Sequence, residues 1–194
     1  MLRGIDGAII GYHVPAKHIN GEYHMKILTS MIENLPPLSN SQQKKNGESK
    51  RTVKSSWIYS CWTGYTKEQQ PIESSRYKKD GKKAKEFVNA STLLWNEAGE
   101  IMKSVFPKVY KMYTNWHLPN GINSLAGPWM GVSINEGSII DPIMIRDHKD
   151  VKDIFFGISC IFAMGNYEGG DLVLWELERI IELRPGDLFF SLRI

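Results

Sequence analysis

Asp153-Ile154-Phe155-Phe156-Gly157-Ile158-Ser159-Cys160-Ile161-Phe162-Ala163 is apolar and aromatic enough to read as a buried strand. Gly165-Asn166-Tyr167-Glu168-Gly169-Gly170 follows as a turn built from residues that tolerate positive φ. Asp171-Leu172-Val173-Leu174-Trp175-Glu176-Leu177 reads as a second strand and Ile180-Ile181-Glu182-Leu183 as a third. Arg184-Pro185-Gly186-Asp187 turns the chain again, and Leu188-Phe189-Phe190 starts a fourth. Short strands at this spacing, separated by Gly and Pro turns, predict a sandwich or barrel.

Just upstream stands His148-Lys149-Asp150. In an extended segment a His and a carboxylate two residues apart point to the same side, because side chains alternate with period two. Such a pair can supply two ligands of the 2-His-1-carboxylate arrangement that holds a non-haem Fe(II) with positions left open. Asp147 and Asp153 flank it, either as partners that orient His148 or as turn residues.

The His148-x-Asp150 pair, the Gly169-Gly170-Asp171-Leu172 turn and the Pro185-Gly186-Asp187-Leu188 turn, in this order, resemble the 2-oxoglutarate and Fe(II)-dependent dioxygenase superfamily. Within it the likeness is to TET/JBP-like oxygenase domains, over residues 127–190. The resemblance implies an α+β fold with a double-stranded β-helix (jelly-roll) core, supported by N-terminal helices. It implies iron on His148 and Asp150, 2-oxoglutarate as cosubstrate, and oxidation of a C–H bond. A methyl group on a nucleic-acid base is the target that the TET/JBP likeness suggests, with nucleic acid as partner. The strand before the pair lines the pocket in this family, so Asn135 is the candidate cosubstrate-side residue, with a turn former as the plainer reading.

The family's second His ligand follows the strand after the Pro-Gly-Asp turn, and a basic anchor for 2-oxoglutarate comes later still. No His follows His148, and Arg193 lies too early for the anchor. The expectation is therefore an oxygenase incomplete at its C-terminus, with a jelly-roll fragment that binds a partner without catalysis, or an unrelated β-rich domain in which His148-x-Asp150 is coincidence, as the alternatives.

The rest of the chain is read from its residues. With 194 residues, 42% of them hydrophobic, and six Trp, one folded domain with a real core is expected. The net charge of +3 is mild, and much of the basic excess sits between Lys44 and Lys85. Cys61 and Cys160 form neither a disulfide framework nor a zinc site and read as reduced thiols of an intracellular protein, nuclear or cytoplasmic. No apolar run is long enough to span a membrane, and no secretory leader is evident.

Residues 1–23 read as one or two short strands, with His13, His18 and His24 as polar residues of a loop before a helix over 25–35. Residues 36–54 and 67–83 are polar and read as flexible loops, with a lysine cluster at Lys78, Lys79, Lys82, Lys83 and Lys85 that reads as a solvated face, a phosphate-contacting patch being the alternative. Residues 55–65 are dense in aromatics and predict a core-packed strand, with a base-stacking nucleic-acid surface as the alternative. Phe87, Ala90, Leu94, Ala98, Ile101 and Val105 recur at helical steps and predict a supporting helix over 85–105. A second short helix over 109–116 should turn Tyr110, Tyr113 and Trp116 to the core, and His117 reads as structural. Residues 129–135 read as a strand.

Overall fold

A computed structural model describes residues 1–4, 6–47, 55–63, 70–119, 121–137, 143, 154 and 156–192. In chain order these form β1 (Leu2–Arg3), β2 (Ile9–Val14), α1 (Gly21–Glu33), α2 (Asn40–Gly47), β3 (Ser55–Trp62) and β4 (Ile72–Glu73). Then come α3 (Ser75–Val105), α4 (Pro107–Thr114), β5 (Gly131–Glu136), β6 (Ile158–Phe162), β7 (Leu172–Leu174), β8 (Arg179–Ile181) and β9 (Leu188–Leu192). The fold is α+β. Among the described residues every strand pairing is antiparallel and no sheet closes.

Leu188, Phe189 and Phe190 are all fully buried, so β9 is covered on both faces. Phe190 meets the rings of Phe106 and Trp129, with centroids 6.4 and 6.3 Å away, on the side where α1, α3 and α4 pack. Phe189 points to the opposite face. There it lines a groove with Ile180 and Ile181 of β8. β9 is flanked by β2 (Tyr12 opposite Phe190) and by β6 (Cys160 opposite Phe190), giving a sheet of order β1-β2-β9-β6. The β7–β8 hairpin forms its own two-stranded sheet, so β6 pairs past it with β9. A second sheet, β4-β3-β5, sets Trp57 opposite Ile134 and Tyr59 opposite Val132.

Helix α3 carries the predicted stripe inward, with Phe87, Leu94 and Ala98 buried. It starts ten residues earlier than its periodicity announces. The Ser74 side chain caps it by accepting from the Tyr77 N–H at 3.3 Å. Gly81, at φ 52° and ψ −113°, breaks it into two helical pieces. Asp80, just before the break, is buried and accepts from the Tyr59 hydroxyl at 2.8 Å and from Arg76 Nε at 2.6 Å. Arg76 also donates to the Pro36 carbonyl at 2.8 Å, so the Asp80–Arg76 pair ties three chain segments together. Burial first, and the Asp80 carboxylate second, push the Tyr59 phenol far above its usual range.

Several polar stretches fold where loops were expected. Residues 36–54 contain α2, stabilised by local bonds rather than by an apolar face. Ser39 accepts from Gln42 N–H at 3.3 Å, and Gln42 bonds Asn46 at 2.7 Å. The lysine cluster lies on α3 and not in a loop, because the Ser74 cap and the Tyr59–Asp80–Arg76 cluster hold that piece of helix, with Tyr77 and Ala84 buried beside them. The reading of residues 171–177 as one strand shortens to β7 plus a 3-10 turn at Trp175–Leu177. Trp116 is exposed, while Tyr110 and Tyr113 pack against the core.

Candidate functional site

The entry to β6 is built by two side chains from elsewhere. The Ile158 N–H donates to the Tyr113 hydroxyl at 2.9 Å, and the Trp129 indole N–H donates to the Ile158 carbonyl at 2.7 Å. Gly157 is required beside them, since a Cβ there would lie 2.6 Å from the Tyr113 oxygen. The strand that follows the His148-x-Asp150 segment therefore starts from a fixed point. His148, Asp150, Asp147 and Asp153 themselves lie outside the described residues.

Asn135 is described. It stands half-buried in β5 opposite Ser56 of β3, while its neighbour Ile134 is buried against the core. Alternation turns Asn135 to the face away from the Trp57–Ile134 pair. His117 is exposed in the segment after α4.

The Pro185-Gly186-Asp187 turn is pinned to the N-terminal strand. Asp187 is buried; its Oδ2 accepts from His13 Nε2–H at 2.7 Å and from Arg184 N–H at 3.1 Å. Its Oδ1 accepts from the Ala16 N–H at 2.8 Å. Burial alone would raise this carboxyl; the bonds from His13, Arg184 and Ala16 outweigh it and hold the group below its usual range. Gly186, at φ 88°, sits against Ala16 and Gly21, where the added Cβ would come 2.9 Å from the Ala16 Cβ. Glycine thus lets the turn meet the start of α1 backbone to backbone. His13, a third exposed at its side chain, lines a groove of about 490 Å³ with Ile180, Ile181, Glu182, Arg184 and Phe189.

The three N-terminal histidines separate. His13 is in β2 and His24 in α1, so neither belongs to the loop that the sequence predicted; His18 is exposed in a short 3-10 turn. His24 is buried between the Tyr23 and Phe162 rings and donates from Nε2 to Glu97 at 3.0 Å. Neither pairing is legible locally. His13 and Asp187 are 174 residues apart, and His24 and Glu97 are 73 apart. Cys61 and Cys160 are free thiols, and burial raises both above their usual range. Among the described residues no three His, Cys, Asp or Glu side chains converge as a metal site, and no helix is long and apolar enough to cross a membrane. Compared with known proteins, the chain matches no family model and no curated relative.

Proposed function

We propose that the chain is a 2-oxoglutarate- and Fe(II)-dependent dioxygenase-like protein of the TET/JBP type. Its jelly-roll core would carry His148 and Asp150 at the mouth. The observation that carries this reading is the nested pairing that follows the His148-x-Asp150 segment: β6 with β9, and β7 with β8 between them in a separate sheet. Strands that pair outer with outer and inner with inner are what a hairpin folded over on itself produces, which is the unit of a jelly roll. The turns of the resemblance, Gly169-Gly170 and Pro185-Gly186-Asp187, fall at the two ends of that hairpin.

The donor chemistry fits. An imidazole nitrogen from His148 and a carboxylate oxygen from Asp150 suit non-haem Fe(II). When bound, iron and 2-oxoglutarate supply the oxidation of an unactivated C–H bond, with a methyl group on a nucleic-acid base as the proposed substrate. The chain's own work is positional. Tyr113 and Trp129 fix the start of β6, and Asp187 fixes the turn into β9. Asn135 is assigned to the cosubstrate side on the resemblance alone.

Anaerobic calorimetry with Fe(II) and 2-oxoglutarate tests this on the wild type and on His148→Ala. Saturable binding of both, lost in the variant, is the expected result. A cooperatively folded sample that binds neither would overturn the oxygenase reading and leave a jelly-roll binding module in its place.

A further inference from the structure

The groove beside the Asp187 turn is a cavity that the proposed chemistry leaves unused. His13 of β2 and Phe189 of β9 are cross-strand partners, so both side chains lie on one face of that pair, the face away from the helices. Ile180 and Ile181 of the separate β7–β8 hairpin line the same space, and Leu2 completes its apolar part. Its volume of about 490 Å³ falls within the range of about 300–1,000 Å³ that small-molecule sites occupy. Ile180 is 67% exposed, so apolar surface is left there for a ligand to cover.

The polar groups of the groove are joined to one another, and two hydrogen-bonding positions are left over. Asp187 is filled by its three donors, His13 Nε2–H, the Arg184 N–H and the Ala16 N–H. Because His13 gives its Nε2 proton to Asp187, its Nδ1 is the acceptor of the ring. Nδ1 has no hydrogen-bond partner among the described residues. A carboxylate that accepts from one imidazole nitrogen fixes the orientation of the ring and makes the other nitrogen the better acceptor. Arg184 donates from Nε to Glu182 at 2.9 Å, and its two Nη groups have no partner among the described residues. The groove therefore offers one oriented acceptor and one guanidinium donor beside an apolar wall. Glu182 and Asp187 outnumber Arg184 in charge and disfavour a further carboxylate.

We infer that this groove is a binding site for a small neutral phenol. Its hydroxyl donates to His13 Nδ1 and accepts from Arg184 Nη, and its ring covers Ile180, Ile181 and Phe189. A phenol is preferred to an aliphatic alcohol because its more acidic hydroxyl is the stronger donor, and the guanidinium stabilises the charge drawn onto its oxygen. The site requires no iron and does not rest on the oxygenase reading. 2-Oxoglutarate, with two carboxylates and no apolar body, does not suit it.

Nitrogen-15 NMR of the histidine rings in the full chain, without metal, tests this with p-cresol as the probe. A saturable shift of the His13 Nδ1 resonance, with the His18 and His24 rings unmoved, is the expected result. Toluene lacks the hydroxyl and should bind about tenfold more weakly or worse. Arg184→Gln keeps the main-chain bond to Asp187 and should weaken p-cresol about fivefold. His13→Gln should abolish the Nδ1 signal and weaken p-cresol about tenfold; if that variant unfolds, Arg184→Gln alone decides. Equal affinity for toluene and p-cresol would reduce the groove to a plain apolar cleft and overturn the assignment. Tighter binding of benzoate or 2-oxoglutarate than of p-cresol would make it an anion site, with the same consequence. A tyrosine side chain of a partner carries the same phenol, and tenfold tighter binding of N-acetyltyrosinamide would overturn the small-molecule assignment in favour of that source. Because no arm contains iron, failure here and failure of the oxygenase reading are separate results.

Discussion

At the scale of single residues, Asp187 does the work of a clamp. A buried carboxylate that takes three hydrogen bonds, from His13 in β2, from Ala16 just after it and from Arg184 before β9, fixes where those two strands meet. Its carboxyl is held below the usual value near 3.9, so the folded state favours the charged form. The stabilisation is complete above that unfolded-state value and is lost as pH falls through the lower folded value. Asp187→Asn should therefore cost about 1–3 kcal/mol at neutral pH, the range for leaving buried partners unsatisfied. Urea midpoints measured from pH 7 down to about pH 3 should show the gap between wild type and variant holding steady, then narrowing below about pH 4. A gap independent of pH would mean that the bonds matter and the charge does not. Pro185-Gly186-Asp187 was readable as a turn from its residue types. That its Asp reaches back to His13 and Ala16 was not, because a contact across the whole chain leaves no mark in local spacing.

At the scale of elements, α3 shows what periodicity reveals and what it hides. The stripe from Phe87 to Ala98 announced the helix, because every third or fourth residue there is apolar. Before it, Tyr77 and Ala84 are the only apolar residues buried among the lysines, too thin a signal to separate helix from polar loop. The helix is held there by the Ser74 cap and by the Tyr59–Asp80–Arg76 cluster instead. Gly81 breaks the helix in a conformation that side chains with a Cβ avoid, although nothing lies within 4 Å of where its Cβ would be. Gly81→Ala should therefore destabilise by about 1–3 kcal/mol through backbone strain and not through a clash. A chemical-denaturation midpoint that rises instead would show that the two pieces merge into one straight helix, with Ala favoured over Gly by about 1 kcal/mol. The same lesson applies to α2, whose bonds among Ser39, Gln42 and Asn46 organise a stretch with almost no apolar content.

At the scale of the whole molecule, β9 is the strand on which both halves depend. It lies between β2, from the start of the chain, and β6, from its last third, and its Phe190 closes the core against Phe106 and Trp129. The alternation and turns of residues 153–190 made these strands legible one at a time. Their order was not legible, because which strand pairs past a hairpin is decided by the burial of Phe189 and Phe190 on opposite faces. A strand covered on both sides couples the helical layer to the hairpin, so neither should survive its loss alone. Phe190→Ala removes a fully buried ring and should cost about 3–5 kcal/mol. If β9 is the common support, far-ultraviolet circular dichroism and tryptophan fluorescence of this variant should lose their signals at the same reduced denaturant concentration. Helical signal that outlasts the fluorescence change would instead show that α1, α3 and α4 form a separately stable layer. The sheet would then be an addition to that layer and not its partner in a single core.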